Sequence, residues 1–132
     1  MESETGEFSF LLKPAENGIG VFVAHDIKKG THLRMFGKEE ALDARSLARD
    51  KKNVPEAFRG YCMDRGDQLI SPKDFSCMPV GWYLNHSKFP NARRDERYWW
   101  FAARDIKAGE EITIDYNSLE EPEEVKEDYY RR

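Results

Sequence analysis

Cysteine is scarce in this sequence, and long apolar runs are absent from it. The two cysteines, Cys62 and Cys77, lack the spacing of zinc ligands, so we expect free thiols of a reducing compartment and no metal site. A metal site of His25, His32 and His86 is also disfavoured, since the first two fall at turn positions that we expect to be exposed. No apolar run approaches the roughly 20 residues of a membrane helix. The start MESETGEFSF is acidic where a signal peptide would be basic, which predicts an intracellular protein, cytoplasmic or nuclear, without a membrane partner.

A surplus of basic residues is also missing. The formal net charge is −4, and Arg93-Arg94 and Arg131-Arg132 form no basic stripe with interleaved aromatic side chains. This composition argues against direct nucleic-acid binding and is compatible with a basic peptide partner. Aromatic residues make up 13% of the 132 residues, which excludes wholesale disorder and allows one domain with one core.

An internal repeat organises the chain. The segments VFVAHDIKKGTHL (Val21–Leu33) and WFAARDIKAGEEI (Trp100–Ile112) are identical at six of thirteen aligned positions. Both contain Asp-Ile-Lys followed by a glycine, Gly30 or Gly109, where a tight turn would need a positive φ. We predict that each copy folds as a β-hairpin of strand, turn and strand.

The region between the repeats, residues 38–79, resembles neither copy. Its segment KEEALDARSLARDKK is rich in Ala, Leu, Glu and Arg and predicts a short helix with Leu42 and Leu47 as its apolar contacts. The segment QLISP predicts a short strand. Because strands and helices do not alternate along the chain, the expected class is mainly β, with short sheets and one or two small helices.

Three polar segments carry the candidate chemistry. Gly18-Ile19-Gly20 lacks the third glycine and the strand–helix context of a dinucleotide site, so it predicts only a loop whose backbone can approach a ligand. Asn85-His86-Ser87 ends an apolar run, and Asp115-Tyr116-Asn117 ends the last strand of the second repeat. Taken singly, each is more readily explained by structure than by function, as a turn, a satisfied core polar group or a packed tyrosine.

In this order, the segments resemble the SET-domain protein lysine methyltransferases, most closely small stand-alone members of viral or bacterial type without zinc-binding cysteine flanks. The resemblance rests on Gly18–Phe22, Asp26–Gly30, Asn85–Ser87, Pro90-Asn91 and Phe101–Tyr116. It divides the single domain, 1–132, into an N-terminal part (8–37), a variable insert (38–79), a C-terminal part (80–117) and an acidic and aromatic tail (118–132).

The resemblance implies a fold, a cofactor and an activity. The fold is β-clip-like, with the Asn-His-Ser segment threaded beneath a C-terminal loop as a pseudoknot. The cofactor is S-adenosylmethionine, held at its amino-acid end by Gly18-Ile19-Gly20 and Asn85 and at its adenine by backbone groups of His86. Tyr116 matches the active-site tyrosine and also borders the cofactor. The implied reaction methylates a lysine of a basic protein, such as a histone or histone-like tail.

Two positions depart from the family's pattern. Met35 stands where many members have a second channel tyrosine, and Ile114 stands where a Phe or Tyr is tied to the number of methyl groups added. The candidate substrate-channel residues are these two with Tyr83, Tyr129 and Tyr130. Other large aromatic residues are expected in the channel wall or, for most of them, in the core: Trp82, Phe89, Trp99 and Trp100.

A SET-like peptide-binding module without activity is the alternative function, and a homodimer is left open. Intact Asn85, His86 and Tyr116 favour the enzyme, because a module released from catalysis would have no chemical need for all three.

The tail after Leu119 has two interpretations, which truncation separates. It is either a lid in which Tyr129 or Tyr130 closes the lysine channel, or a solvated end. For the lid, truncation after Leu119 should leave the circular dichroism spectrum and melting temperature unchanged while turnover of a peptide falls at least about ten-fold. Turnover at the original rate would establish the solvated end.

Overall fold

The computed structural model describes residues 3–16, 18–37 and 45–119, and these form a mainly β structure with small helices, as expected. No helix among them is long and apolar enough to cross a membrane. The strands are β1 (Phe10–Ala15), β2 (Gly18–Val23), β3 (His32–Leu33), β4 (Ser46–Asp50), β5 (Met63–Asp64), β6 (Gln68–Pro72), β7 (Asn85–His86), β8 (Ala92–Arg94), β9 (Trp100–Ala102) and β10 (Glu111–Ile114). The helices that lie wholly within these residues are α1 (Glu56–Arg59) and three 3-10 helices, η1 (Lys51–Asn53), η2 (Val80–Tyr83) and η3 (Tyr116–Leu119).

These strands form three small sheets within the described ranges. Their orders are β1-β2-β10-β7, β3-β9-β8 and β4-β6-β5. β7 runs parallel to β10, and the other pairs are antiparallel. The first sheet contains Gly18-Ile19-Gly20 and Asn85-His86, so it is the sheet that positions the candidate site.

The two repeats pair with each other instead of folding as separate hairpins. β2 pairs with β10, where Phe22 lies opposite Glu111, and β3 pairs with β9, where His32 lies opposite Phe101. The predicted order of strand, turn and strand is confirmed in both copies, but the predicted hairpin pairing is wrong. Sequence spacing could not predict which strands pair, because the same turn residues suit a hairpin and a pair of repeats whose strands pair with each other.

Reciprocal backbone hydrogen bonds join the centres of the two repeats. The N–H of Ile27 donates to the carbonyl of Ile106 over 2.7 Å, and the N–H of Ile106 donates to the carbonyl of Ile27 over 2.7 Å. Gly30 and Gly109 occupy equivalent turns at φ 87° and φ 89°, a region that favours glycine. The turn prediction is therefore confirmed. Each repeat makes the same kind of contact with the other: strand with strand, and turn with turn.

Two aspartates form equivalent hydrogen bonds between the turns of the two repeats. The carboxylate of Asp26 accepts a hydrogen bond from the N–H of Ala108 over 2.8 Å, and that of Asp105 accepts one from the N–H of Lys29 over 2.9 Å. Each aspartate therefore satisfies a backbone donor in the turn of the other repeat.

The insert differs from the predicted helix over part of its length. Ser46–Asp50 is strand β4, paired with β6, and Leu47 is exposed on it. The guanidinium of Arg49 donates from Nε to Ser71 Oγ over 2.7 Å. Pairing with a distant strand therefore outweighs helix propensities of about 0.7 kcal/mol or less per residue. The strand predicted from QLISP is confirmed as β6; Leu42 lies outside the described residues.

Two of the large aromatic residues, Trp82 and Trp100, are buried in the core as expected. Trp99 is half-buried, and Phe89 is not in the core, because 85% of it is exposed. His32 was expected to be exposed, but only 8% of it is, because its ring stacks on Trp99 with centroids 5.2 Å apart and on Phe101 at 5.1 Å. The core joins the first two sheets to η2 through these buried residues: Val21, Val23, Ile27, Leu33, Met35, Phe36, Met63, Trp82, Leu84, Ala92, Tyr98, Trp100, Ala102, Ile106, Ile112, Ile114 and Leu119.

The last described segment, η3, is held by arginines from elsewhere in the chain. Arg94 donates from Nε to the carbonyl of Ser118 over 2.8 Å, and Arg65 donates from Nη1 to the carbonyl of Leu119 over 2.6 Å. These bonds satisfy carbonyls at the end of a short helix. They bring η3 back onto the body of the fold, whereas the predicted threading of a pseudoknot stays a prediction.

We expect Asp26→Ala and Asp105→Ala each to lower the free energy of unfolding by about 1–2 kcal/mol in urea denaturation. Each substitution removes a charged acceptor from a backbone N–H in the opposite turn. Asp67→Ala is the control, because this exposed carboxylate makes no hydrogen bond to the described residues, and its effect should stay within about 0.5 kcal/mol. Asp26 and Asp105 variants as stable as this control would contradict the account of the turns.

Candidate active site

The three polar segments meet on the first sheet. Gly18-Ile19-Gly20 begins β2, Asn85-His86 is β7, and Tyr116 follows β10 after one residue. β10 lies between β2 and β7, so the exchange of the repeats brings these segments together. Gly18-Ile19-Gly20 is thus part of a strand and not the loop that was predicted.

The two glycines of β2 differ in backbone conformation and in surroundings. Gly18 has φ 99° with open space where a Cβ would lie, so its backbone conformation favours glycine. Gly20 is buried, and a Cβ there would collide with Oε2 of Glu111. The first glycine therefore serves a turn, and the second makes room for a side chain from β10.

The side-chain amide of Asn85 bridges β2 and β10. Its Nδ2 lies 3.2 Å from the carbonyl oxygen of Ile19 and 2.7 Å from Oε2 of Glu111. Both partners accept hydrogen bonds, so the amide nitrogen must face them and both of its protons are engaged. The amide oxygen, Oδ1, makes no hydrogen bond within residues 3–16, 18–37 and 45–119. Asn85 therefore presents an acceptor to a ligand.

The imidazole of His86 is neutral and its tautomer is determined by Tyr116. The backbone N–H of Tyr116 donates to Nδ1 over 3.0 Å, so the ring proton must reside on Nε2. Only 4% of the His86 side chain is exposed. Burial lowers the pKa of His86 below its ordinary value of 6.5; Asp115, 3.8 Å from Nδ1, opposes this shift, and Lys88 adds to it.

The hydroxyl of Tyr116 is oriented by a backbone carbonyl. It donates to the carbonyl oxygen of Leu84 over 2.6 Å, and the Tyr116 ring packs against His86 with centroids 5.3 Å apart. With its proton donated to Leu84, the phenolic oxygen can only accept any further hydrogen bond. The predicted catalytic residue and the predicted cofactor residues therefore lie side by side.

The candidate channel residues lie in different surroundings. Met35 and Ile114 are in the buried core, 1% and 3% exposed. Tyr83 is half-buried, and its ring meets Tyr61 edge-on at 5.4 Å between centroids. Their role in a lysine channel stays a prediction. Two further candidates lie outside the described residues: Tyr129 and Tyr130.

Sequence reasoning missed two groups of this site. The carbonyl of Leu84 carries no side-chain signal, so only the folded structure reveals it. Glu111 left a weak signal in the sequence, since it is a polar residue that alternates with Ile112 and Ile114 along β10. Its position beside Gly20 and Asn85 exists only once β2, β10 and β7 are paired.

Comparison with known proteins identifies the family. The SET domain family model matches residues 18–117. Histone-lysine N-methyltransferase SET5 of Meyerozyma guilliermondii is 34% identical over 103 residues, which cover 69% of this chain and 21% of that protein. Histone-lysine N-methyltransferase trr of Drosophila melanogaster is 30% identical over 123 residues, covering 88% of this chain and 5% of that protein. The chain therefore spans about a fifth or less of the length of these relatives.

A solved structure shares the fold. It is a crystal structure from Plasmodium falciparum of a protein described as a candidate histone methyltransferase, with a TM-score of 0.52 and 18% identity, covering 83% of this chain and 93% of that chain. The family match includes Gly18-Ile19-Gly20, Asn85-His86 and Tyr116, which the first sheet brings together. The mainly β fold and the family model agree with the resemblance found in the sequence, and the chain belongs to the SET-domain family.

Proposed function

We propose that this chain is an S-adenosylmethionine-dependent protein-lysine N-methyltransferase. The observation that carries the proposal is the Tyr116 hydroxyl, which is held by the Leu84 carbonyl directly before Asn85 and His86. Membership of the SET-domain family supports it, as do relatives named histone-lysine N-methyltransferases. The substrate is a lysine side chain of a protein, and the net charge of −4 favours a basic one.

The residues of the first sheet fit the two polar ends of S-adenosylmethionine. The amino-acid end carries an ammonium group, for which Oδ1 of Asn85 is a suitable acceptor. The backbone N–H of Ser87 donates to the carbonyl of Ile114 over 2.9 Å, so the N–H and C=O of His86 point away from β10. That pair of one donor and one acceptor matches an adenine edge. Gly18 and Ile19 are both exposed at the start of β2, where the carbonyl of Ile19 accepts a hydrogen bond from Asn85.

The arrangement at Tyr116 suits an in-line displacement by an amine. When bound, S-adenosylmethionine supplies a methyl group on a sulfonium, which is a good leaving group. Because the Tyr116 hydroxyl donates its proton to Leu84, its oxygen accepts a hydrogen bond from the N–H of the incoming amine. The amine then directs its lone pair to the methyl carbon, and alignment of this kind contributes several kcal/mol to a reaction.

The amine must lose its proton before it attacks. A free lysine has a pKa of about 10.4, and surroundings that exclude water lower it by disfavouring the charged form. Tyr116 packs against the hydrophobic core, so surroundings that exclude water are available beside its ring. Solvent takes the proton in this scheme, and the site needs no dedicated general base.

Two measurements test the proposal against a binding module without activity. Calorimetry with S-adenosylmethionine and the purified protein should show a one-to-one complex. Mass spectrometry of histone and other basic peptides, incubated with both, should then show methylated lysine. A protein that binds such peptides but neither binds the cofactor nor modifies a lysine would be the binding module.

We expect Tyr116→Phe to keep cofactor affinity and to lower turnover at least about ten-fold, since one aligned hydrogen bond is lost from the transition state. Turnover is measured by mass spectrometry and affinity by calorimetry. Tyr98→Phe is the matched control, because its buried hydroxyl also donates to a backbone carbonyl, that of Leu119 over 3.4 Å, and it should keep full turnover. Full turnover by Tyr116→Phe would assign the role to another residue.

We expect His86→Asn to weaken the acid sensitivity of the fold. The folded-state pKa of His86 lies below its unfolded value, so as pH falls through 6.5 the unfolded chain takes up a proton that the folded protein refuses, and stability is lost. Asparagine does not titrate, and its Oδ1 can still accept from Tyr116 N–H. Urea denaturation at about pH 7.5 and about pH 5.5 should show a smaller loss of unfolding free energy in the variant. An equal loss in both proteins would show that His86 is not the titrating group.

A further inference from the structure

The carboxylate of Glu111 is the one charged group that forms a hydrogen bond with the Asn85 side chain in the described part of the chain. Glu111 begins β10, between β2 and β7, and its Oε2 accepts a hydrogen bond from Asn85 Nδ2 over 2.7 Å. No role for Glu111 followed from the sequence or from the SET resemblance.

This hydrogen bond determines which way the Asn85 amide faces. With Ile19 and Glu111 both offering acceptors, the amide nitrogen is directed to them and Oδ1 to the opposite side. The Ile19 bond alone, at 3.2 Å, is longer than the Glu111 bond. Without the carboxylate, the amide could rotate and present its donor in place of its acceptor.

The backbone around Glu111 is rigidly placed. The buried Asn91 donates from Nδ2 to the carbonyl of Glu111 over 2.8 Å and accepts from the N–H of Thr113 over 2.9 Å. Glu111 also lies opposite Phe22 in the β2–β10 pairing. The backbone that carries the Glu111 carboxylate is therefore held in place by these hydrogen bonds.

Gly20 supplies a second, independent observation. A Cβ at Gly20 would collide with Oε2 of Glu111 and lie 3.0 Å from its Cδ. The carboxylate thus occupies the space that a Cβ at Gly20 would enter. A side chain at position 20 would displace the Glu111 carboxylate from its position beside Asn85.

We propose that Glu111 is a positioning residue for cofactor binding: its carboxylate orients the Asn85 amide so that Oδ1 faces the ammonium group of the cofactor. The inference rests on the proposed function, because it assigns Asn85 to the amino-acid end of S-adenosylmethionine. The carboxylate acts here as a hydrogen-bond acceptor, and its charge is not required.

The experiment uses calorimetry with two ligands that undergo no turnover. S-adenosylhomocysteine carries the amino-acid end, and 5′-methylthioadenosine lacks it. Glu111→Ala should weaken S-adenosylhomocysteine about ten-fold or more and leave 5′-methylthioadenosine unchanged. Glu111→Gln keeps an acceptor oxygen and should stay within about three-fold of the unmodified chain. Glu96→Ala is the control for the loss of one negative charge at an exposed position and should bind both ligands normally.

Three calorimetric outcomes would overturn the proposal. Unchanged affinity of Glu111→Ala for S-adenosylhomocysteine would show that Asn85 needs no orienting partner. A Glu111→Gln variant as weak as Glu111→Ala would show that Glu111 acts through its charge. Equal loss of both ligands in Glu111→Ala would show damage to the whole site.

A readout on the ligand-free protein separates this inference from the proposed function. The side-chain amide resonances of Asn85, identified by their loss in Asn85→Asp, report the hydrogen bonds of Nδ2. They should shift in Glu111→Ala and stay close to their original position in Glu111→Gln. Unshifted resonances in Glu111→Ala would refute the positioning role. If the unmodified chain binds neither ligand, the proposed function fails, while these resonances still decide whether Glu111 orients Asn85.

Discussion

The reciprocal pairing of the two repeats is the constraint on which the rest of the structure depends. The mutual hydrogen bonds of Ile27 and Ile106 hold two segments that are far apart in sequence against each other, and both side chains are buried. This contact sets β2 beside β10, and β10 in turn carries β7. If each repeat had folded as a separate hairpin, no strand would link Gly18-Ile19-Gly20 to Asn85. The site therefore depends on the pairing of β2 with β10 from the other repeat.

Around that sheet, the site is held by side chains that bond to the backbone. Tyr116 bonds to the carbonyl of Leu84, His86 accepts from the N–H of Tyr116, and Asn85 donates to the carbonyl of Ile19. Bonds of this kind to backbone groups restrict the rotamer of each side chain. The same bonds that stabilise the fold determine which atoms face a ligand. A neutral His86 belongs to this arrangement, because a proton on Nδ1 would break the bond to Tyr116.

Features set by neighbouring residues could be predicted from the sequence, whereas features set by distant partners could not. Strand and turn positions in the repeats followed from local chemistry, as Gly30 and Gly109 show by their positive φ. Ser46–Asp50 of the insert did not follow, because the helix propensity of its residues was outweighed by pairing with β6. His32 was predicted to be exposed but is buried, since its stacking partner Trp99, which comes directly before β9, is far away in sequence. Local signals succeeded where the cause was local, and failed where a distant segment supplied the partner.

By itself the sequence determined the family, the mainly β class and the three polar segments of the site, because motif order and turn residues are properties of the chain read in line. Tertiary structure alone decided which strands pair, which atom of Asn85 faces outward and which side chain lies beside Gly20. Those outcomes depend on distances between residues far apart in sequence, such as Glu111 and Asn85 at 2.7 Å. Hydrogen bonds are short and directional, so they exist only once the backbone that carries both partners has been placed.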